Sequence, residues 1–102
     1  MNTIELKLND QKRGAFVIEG DEDGERLAEM VIAIIDTRVV VYHTEVSEKL
    51  RGQGVAAKLL EQMVTYARNN HLKVVALCPY VLAQFKRHPD QYKDIWDQNW
   101  KG

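Results

Sequence analysis

The chain has 102 residues, 45% of them apolar and 28% charged, with two prolines and six glycines, a profile that fits one compact domain over residues 1–102 and excludes a second. Fourteen Lys and Arg against fifteen Asp and Glu leave a formal charge of −1, so the footprint of a generic nucleic-acid or anionic-membrane binder is missing. The single cysteine, Cys78, cannot close an internal disulfide, the apolar run at residues 30–35 falls far short of the ~20 residues of a membrane span, and the first nine residues are too polar for a signal peptide; the expected location is the cytoplasm.

Ile4, Leu6 and Leu8 alternate with Glu5 and Lys7, the period of a short, half-buried edge strand. Asn9, Asp10 and Gln11 make a turn, residues 14–19 a second strand, and the acidic, glycine-punctuated residues 20–24 another turn. Residues 26–35 form a third strand, apolar almost throughout, which predicts helical cover on both of its faces. Asp36 and Thr37 lead tightly into a fourth strand, residues 38–46, rich in β-branched and aromatic side chains.

The period then changes to 3.6. Ala56, Leu59, Leu60, Met63, Val64 and Ala67 fall on one helical stripe, closed by Asn69 and Asn70. Residues 72–78 read as a fifth strand, and strand, helix and strand together predict a βαβ crossover with parallel strands. Pro79 suits the first position of a second helix, carried by Val81, Leu82 and Phe85 and stopped by Pro89 near His88. Tyr92, Ile95 and Trp96 fit a last turn or two of helix. The fold class is therefore α/β (α+β), with a mixed, mostly antiparallel sheet and no sign of a doubly wound arrangement.

The loop before the long helix holds Arg51, Gly52, Gln53, Gly54, Val55 and Ala56. Free N–H groups of a first helical turn, the positive end of the helix dipole and glycines without side chains together suit phosphate or pyrophosphate, with Arg51 adding a charge-assisted contact. Gly52, Gly54 and Ala57 satisfy a loose dinucleotide fingerprint, but strand four ends several residues earlier and Leu77 and Cys78 stand where the ribose-binding acid belongs. No Gly-Lys-Ser/Thr follows, so a Walker loop is excluded. The remaining reading of the glycines is a flexible helix start with no ligand.

The run from Arg51 to Ala56 resembles the acetyl-CoA signature of the GNAT superfamily of N-acetyltransferases, arginine/glutamine-x-x-glycine-x-glycine/alanine, and shares its context between a fourth strand and a long helix that leads to a fifth. His43-Thr44-Glu45-Val46, Cys78-Pro79-Tyr80 and Arg87-His88-Pro89 look like a compact branch of that superfamily. The resemblance implies a reduced acyl-CoA N-acyltransferase fold, acetyl-CoA or CoA as co-substrate, and an amine-bearing acceptor. It further implies that the loop amides cradle the CoA pyrophosphate and that Val46 pairs with pantetheine. Typical members add amino-terminal helices that shape the acceptor site and two carboxy-terminal strands; here 24 residues follow Cys78.

Acetyl transfer to an amine needs a base, an oxyanion site and a proton for the leaving thiolate. Glu45 is the candidate base, beside the implied pantetheine contact and on one strand face with His43; the pair also reads as a solvated polar patch. Cys78, placed as an N-cap before Pro79, is a candidate nucleophile with His43 or His88 assisting, or else an inert small hydrophobe. Tyr80 is a candidate acid for the thiolate, or a packed aromatic. Arg87, with Lys86 and His88, suits the CoA 3′-phosphate, an acidic acceptor or simply the negative end of the helix dipole. His71 reads as an exposed turn residue, and the histidines and cysteine show no metal-ligand spacing. Beside an N-acetyltransferase stand two other readings: a non-catalytic CoA-binding module, and an interaction domain using Tyr92, Trp96 and Trp100. Self-association would complete an acceptor site that one short chain lacks.

Overall fold

The computed structural model describes residues 3–99. Strands β1 (Glu5–Leu8), β2 (Arg13–Glu19), β3 (Arg26–Ile35) and β4 (Arg38–Val46) pair antiparallel in sequence order, and β5 (Lys73–Ala76) joins β4 in parallel. Short turns make this meander possible. Asn9 Oδ1 accepts from the amides of Gln11 and Arg13 at 2.9 and 3.0 Å, an Asx turn that reverses the chain after β1. Asp36 takes the left-handed conformation at φ 55° between β3 and β4, a position where a short polar side chain is tolerated.

Helix α1 (Val55–Asn69) makes the crossover from β4 to β5. Of the six stripe residues, Leu59, Leu60, Met63, Val64 and Ala67 are buried; Val55 joins them, while Ala56 is half-buried. Asn70 ends the helix by donating from Nδ2 to Tyr66 O at 2.8 Å. Helix α2 (Pro79–Arg87) follows with Cys78 as N-cap and Pro79 in its first turn, and α3 (Pro89–Tyr92) starts at the second proline.

The buried side chains of all three helices meet one face of the sheet, through Phe16, Ile18, Met30, Ile32, Val39 and Val41. Phe85 is fully buried there, with its ring 4.6 Å from Tyr92 and 5.6 Å from Trp96. The expectation of helical cover on both faces of β3 is corrected: among the described residues, no helix covers the second face. Its small side chains, Ala15, Val17, Ala33, Val40 and Val75, are buried among long charged neighbours instead. Lys7–Glu19 (2.8 Å), Arg26–Glu29 (3.1 Å) and Arg38–Asp97 (2.7 Å) run across it, and cationic stems of this kind cover apolar surface while their heads stay wet.

Two boundaries also differ from expectation. β5 stops at Ala76 because Leu77 and Cys78 both donate to Val41 O, at 3.1 and 2.8 Å, and so leave the ladder. Trp96 lies in an isolated parallel bridge with Val74 rather than in a helix, with Val74 donating to Ile95 O and Asp97 to Val74 O. The apolar edge of β5 captures the segment that local periodicity reads as helical.

Candidate active site

The doubled contact at Val41 is where two parallel strands come apart. β4 continues to Val46 while the chain beyond Ala76 turns into α2, so residues 42–46 offer a strand edge that β5 no longer covers. A bulge marks the same place: Ile32 faces Val41 and Val31 faces His43, leaving Tyr42 without a partner across β3. Among the described residues Tyr42, Val46 and Leu77 are the large exposed apolar ones, and all three border this opening. An edge of this kind recognises an extended, amide-bearing ligand by main-chain hydrogen bonds.

Beyond Val46, Ser47 caps a 3₁₀ turn, Glu48–Leu50, by accepting from Lys49 N at 3.2 Å; the sequence did not announce that turn. Lys49 pairs with Glu25 at 2.6 Å, tying the loop to the β2–β3 turn. The pair holds the Glu25 carboxyl below its ordinary range and the Lys49 ammonium above its own, in each case chiefly through their hydrogen bond. Gly52 and Gly54 then take φ values of 80° and 66°, conformations that L side chains rarely adopt. Gly54 is the N-cap of α1; it offers no side-chain cap, and no acidic residue stands in the first turn. The positive end of the helix is thus left to solvent or an anion. Arg51 is exposed beside it, 3.9 Å from Glu48, and Gln53 and Val55 line a groove of about 620 Å³ against Ile4, Ile18 and Lys58.

Thr44 and Cys78 meet where the strands part, with Oγ1 and Sγ 3.4 Å apart. The Cys78 side chain is buried on the helix-covered face. Tyr80, in the first turn of α2, lines a groove between α1 and α2 with Ala57, Leu60 and Gln84. Burial raises its phenol pKa above the ordinary value, so the group keeps its proton at neutral pH.

His43 and Glu45 share a sheet face, as expected from period 2, but it is the helix-free face, opposite Thr44 and Cys78. His43 is therefore not arranged to assist the thiol. His88 caps the far end of α2, roughly 15 Å along the axis from Cys78. Glu29 is the residue that the sequence reading missed. It is the cross-strand partner of Glu45; its Oε1 accepts from Arg26 Nη1 at 3.1 Å, and its Oε2 lies 3.4 Å from His43 Nε2. Its signal was a lone acid in an apolar strand. Arg87 ends α2 on the Tyr80 side, near enough for its charge to act against the rise in the Tyr80 pKa. Lys86 and His88 are exposed beside it, and His71 sits in a left-handed turn at φ 57°. Tyr92 is buried and Trp96 half-buried, so neither is an open partner surface, while Trp100 lies outside the described residues. No group of three or more His, Cys, Asp or Glu among the described residues is arranged to hold a metal, and no helix is long and apolar enough to cross a membrane.

A family profile described as GCN5-related N-acetyl-transferase matches residues 15–95. A GCN5-like candidate N-acetyltransferase from Staphylococcus aureus, solved by NMR, is 35% identical over 91% of this chain and 87% of its own, with a TM-score of 0.67. Two further solved structures show the same fold at lower identity. The ribosomal-protein-alanine N-acetyltransferase of Brucella melitensis biovar Abortus 2308 is 20% identical over 92% of this chain and 68% of its own, at a TM-score of 0.58. The ribosomal-protein-S18-alanine N-acetyltransferase of Escherichia coli is 13% identical over 72% of this chain and 64% of its own, at 0.59. No curated protein matches. The parted strands, the glycine loop that follows them and the profile spanning both agree: the chain belongs to the GCN5-related N-acetyltransferase family.

Proposed function

We propose that the protein is a cytoplasmic, acetyl-CoA-dependent N-acetyltransferase acting on an amine-bearing acceptor, its site contained in a single domain. The observation that carries this reading is continuity: the uncovered edge at residues 42–46 leads directly into the glycine loop and the open N-terminus of α1. Pantetheine, which carries two amides, pairs along that edge as far as Val46, and its pyrophosphate reaches the amides of Gly52, Gln53, Gly54, Val55 and Ala56. Arg51, exposed beside that loop, supplies a further charge for the phosphates.

The acetyl thioester then lies where β4 and β5 part. Helices close one side of the sheet, so the amine approaches from the helix-free side, where His43 and Glu45 stand. One of these groups, directly or through water, takes the ammonium proton. The amine nitrogen attacks the acetyl carbonyl, the C–S bond breaks as the CoA thiolate takes a proton from Tyr80, and the remaining proton of the adduct nitrogen is lost to water, from which the Tyr80 phenol is restored. A second route starts from the Thr44–Cys78 contact: the Cys78 sulfur takes the acetyl group as its thiol proton passes to the departing CoA sulfur, and the amine then attacks the new thioester, its proton returning to Cys78 Sγ.

Calorimetric titration with CoA and acetyl-CoA tests the co-substrate. Saturable binding that is lost in Gly54→Glu supports the site, and absence of binding overturns it. Intact mass after exposure to acetyl-CoA separates the routes: an acetyl adduct of about 42 Da that disappears in Cys78→Ala establishes covalent transfer, and turnover by Cys78→Ala establishes direct transfer. Binding without acceptor-dependent CoA release would leave a non-catalytic CoA module.

A further inference from the structure

We infer that Glu29 is a positioning residue that sets the tautomer of His43, so that Nδ1, and not Nε2, is the proton-accepting atom on the amine side. The inference deepens the acetyltransfer reading and rests on it. Glu29 is the only acid in the ten residues of β3, and it faces the helix-free side beside β4. Its two oxygens are differently committed. Oε1 is taken by Arg26 Nη1 at 3.1 Å, which leaves Oε2 to His43 Nε2 at 3.4 Å. An apo contact of that length tightens when a site fills.

A carboxylate can only accept, so it favours the imidazole that carries its hydrogen on Nε2. The ring then presents an Nδ1 lone pair. His43 lies two residues past the point where β5 leaves β4, and its side chain is half-exposed. The ammonium form of the acceptor gives its proton to Nδ1, forming imidazolium and free amine; the positive charge is stabilised through Nε2–H by the Glu29 carboxylate, and the amine electron pair attacks the thioester. The logic is that of an acid–imidazole pair in which the carboxylate orients the ring without taking the proton. Glu45, opposite Glu29 on β4, adds negative charge on the side the cation approaches.

Arg26 makes the inference sharply testable. A guanidinium only donates, so in Glu29→Gln it retains the amide oxygen and turns the NH2 toward His43. That NH2 donates to Nε2 and forces the hydrogen onto Nδ1, with little change in shape. The experiment is long-range 1H–15N correlation of the imidazoles at pH 8.5, above the ordinary imidazole range, on wild type and Glu29→Gln. It is paired with CoA-release kinetics using a short peptide that carries a free α-amine and a lysine. The expected result is the Nε2–H form of His43 in wild type and the Nδ1–H form in Glu29→Gln. With an unchanged melting temperature, kcat should fall by on the order of 10²-fold or more and KM for acetyl-CoA should stay within about twofold, because uniform binding is untouched. An Nδ1–H wild type, or a Glu29→Gln variant with unaltered tautomer and rate, overturns the inference. Wild type that binds acetyl-CoA yet never turns the peptide over overturns the acetyltransfer reading, while the tautomer still decides what Glu29 does.

Discussion

Gly54 has nothing within 4 Å of where a Cβ would stand, yet its φ is +66°, so its requirement is conformational and not steric. Gly54→Ala should therefore cost roughly 1–2 kcal/mol of stability, read as a lower urea midpoint. It should weaken CoA binding by more than that strain alone accounts for, because the first-turn amides shift with it. Tyr80 argues in the opposite direction, since its chemistry comes from burial. Its raised pKa keeps the phenol protonated across the neutral range, and the proton is lost only above the ordinary tyrosine value of about 10. Tyr80→Phe should lower kcat about 10–100-fold by removing the acid, and any alkaline limb of the kcat profile above pH 10 should vanish with it. A variant whose rate equals wild type would reduce Tyr80 to a packed aromatic.

At the scale of elements, the segment after α2 is held to the sheet and helix by two kinds of contact. Arg68 of α1 grips Asp94 with both Nε and Nη2, at 2.9 and 3.1 Å, and reaches Gln91 O at 2.8 Å. This fork raises the Arg68 pKa and lowers that of Asp94, in each case chiefly through the hydrogen bond. The pair is largely exposed, so the clamp contributes direction more than energy. Arg68→Met should lower stability by less than about 1 kcal/mol while speeding amide exchange at Val74 and Asp97, the bridge that the clamp steadies. Phe85, by contrast, is fully buried between Tyr92 and Trp96, and Phe85→Ala should cost about 3–5 kcal/mol. Urea melts of the two variants should differ accordingly; comparable losses would mean that the segment is held by charge and not by packing.

For the whole molecule, the paired carboxylates set the response to acid. Glu19, Glu25 and Asp94 all have pKa values lowered by hydrogen bonds from Lys7, Lys49 and Arg68. A carboxyl with a depressed folded pKa stabilises the fold above its unfolded value and loses that contribution as pH falls through the folded value. The Lys49 ammonium, raised by Glu25, works the other way and loses its share as pH climbs past the ordinary lysine value of about 10.4. Melting temperature should thus be nearly flat between about pH 5 and 9 and fall below about pH 4. Because these pairs are exposed, 1 M salt should flatten the acid limb; an acid limb indifferent to salt would point to buried groups instead.

Much of this molecule was legible in one dimension because its patterns are local. Strands three and four were read to the residue, the helical stripe of α1 to within one position, and the glycine loop by the residue types that an anion needs next to a helix start. The shared face of Glu45 and His43 was readable because alternation along a single strand is local too. Contacts set by register could not be read this way. Glu29 meets His43 and Arg26 only because β3 and β4 pair with a bulge at Tyr42, and a one-residue slip would send each of them to the other face. The separation of His43 from Cys78 by the sheet, the gathering of α1, α2 and α3 on one face, and the capture of Trp96 beside Val74 are likewise long-range choices. The amino-acid sequence alone determined which segments alternate, coil and turn, because those preferences are settled within a few residues. The tertiary structure decided which side chains share a face across strands, because that depends on pairing free energy summed over the whole sheet.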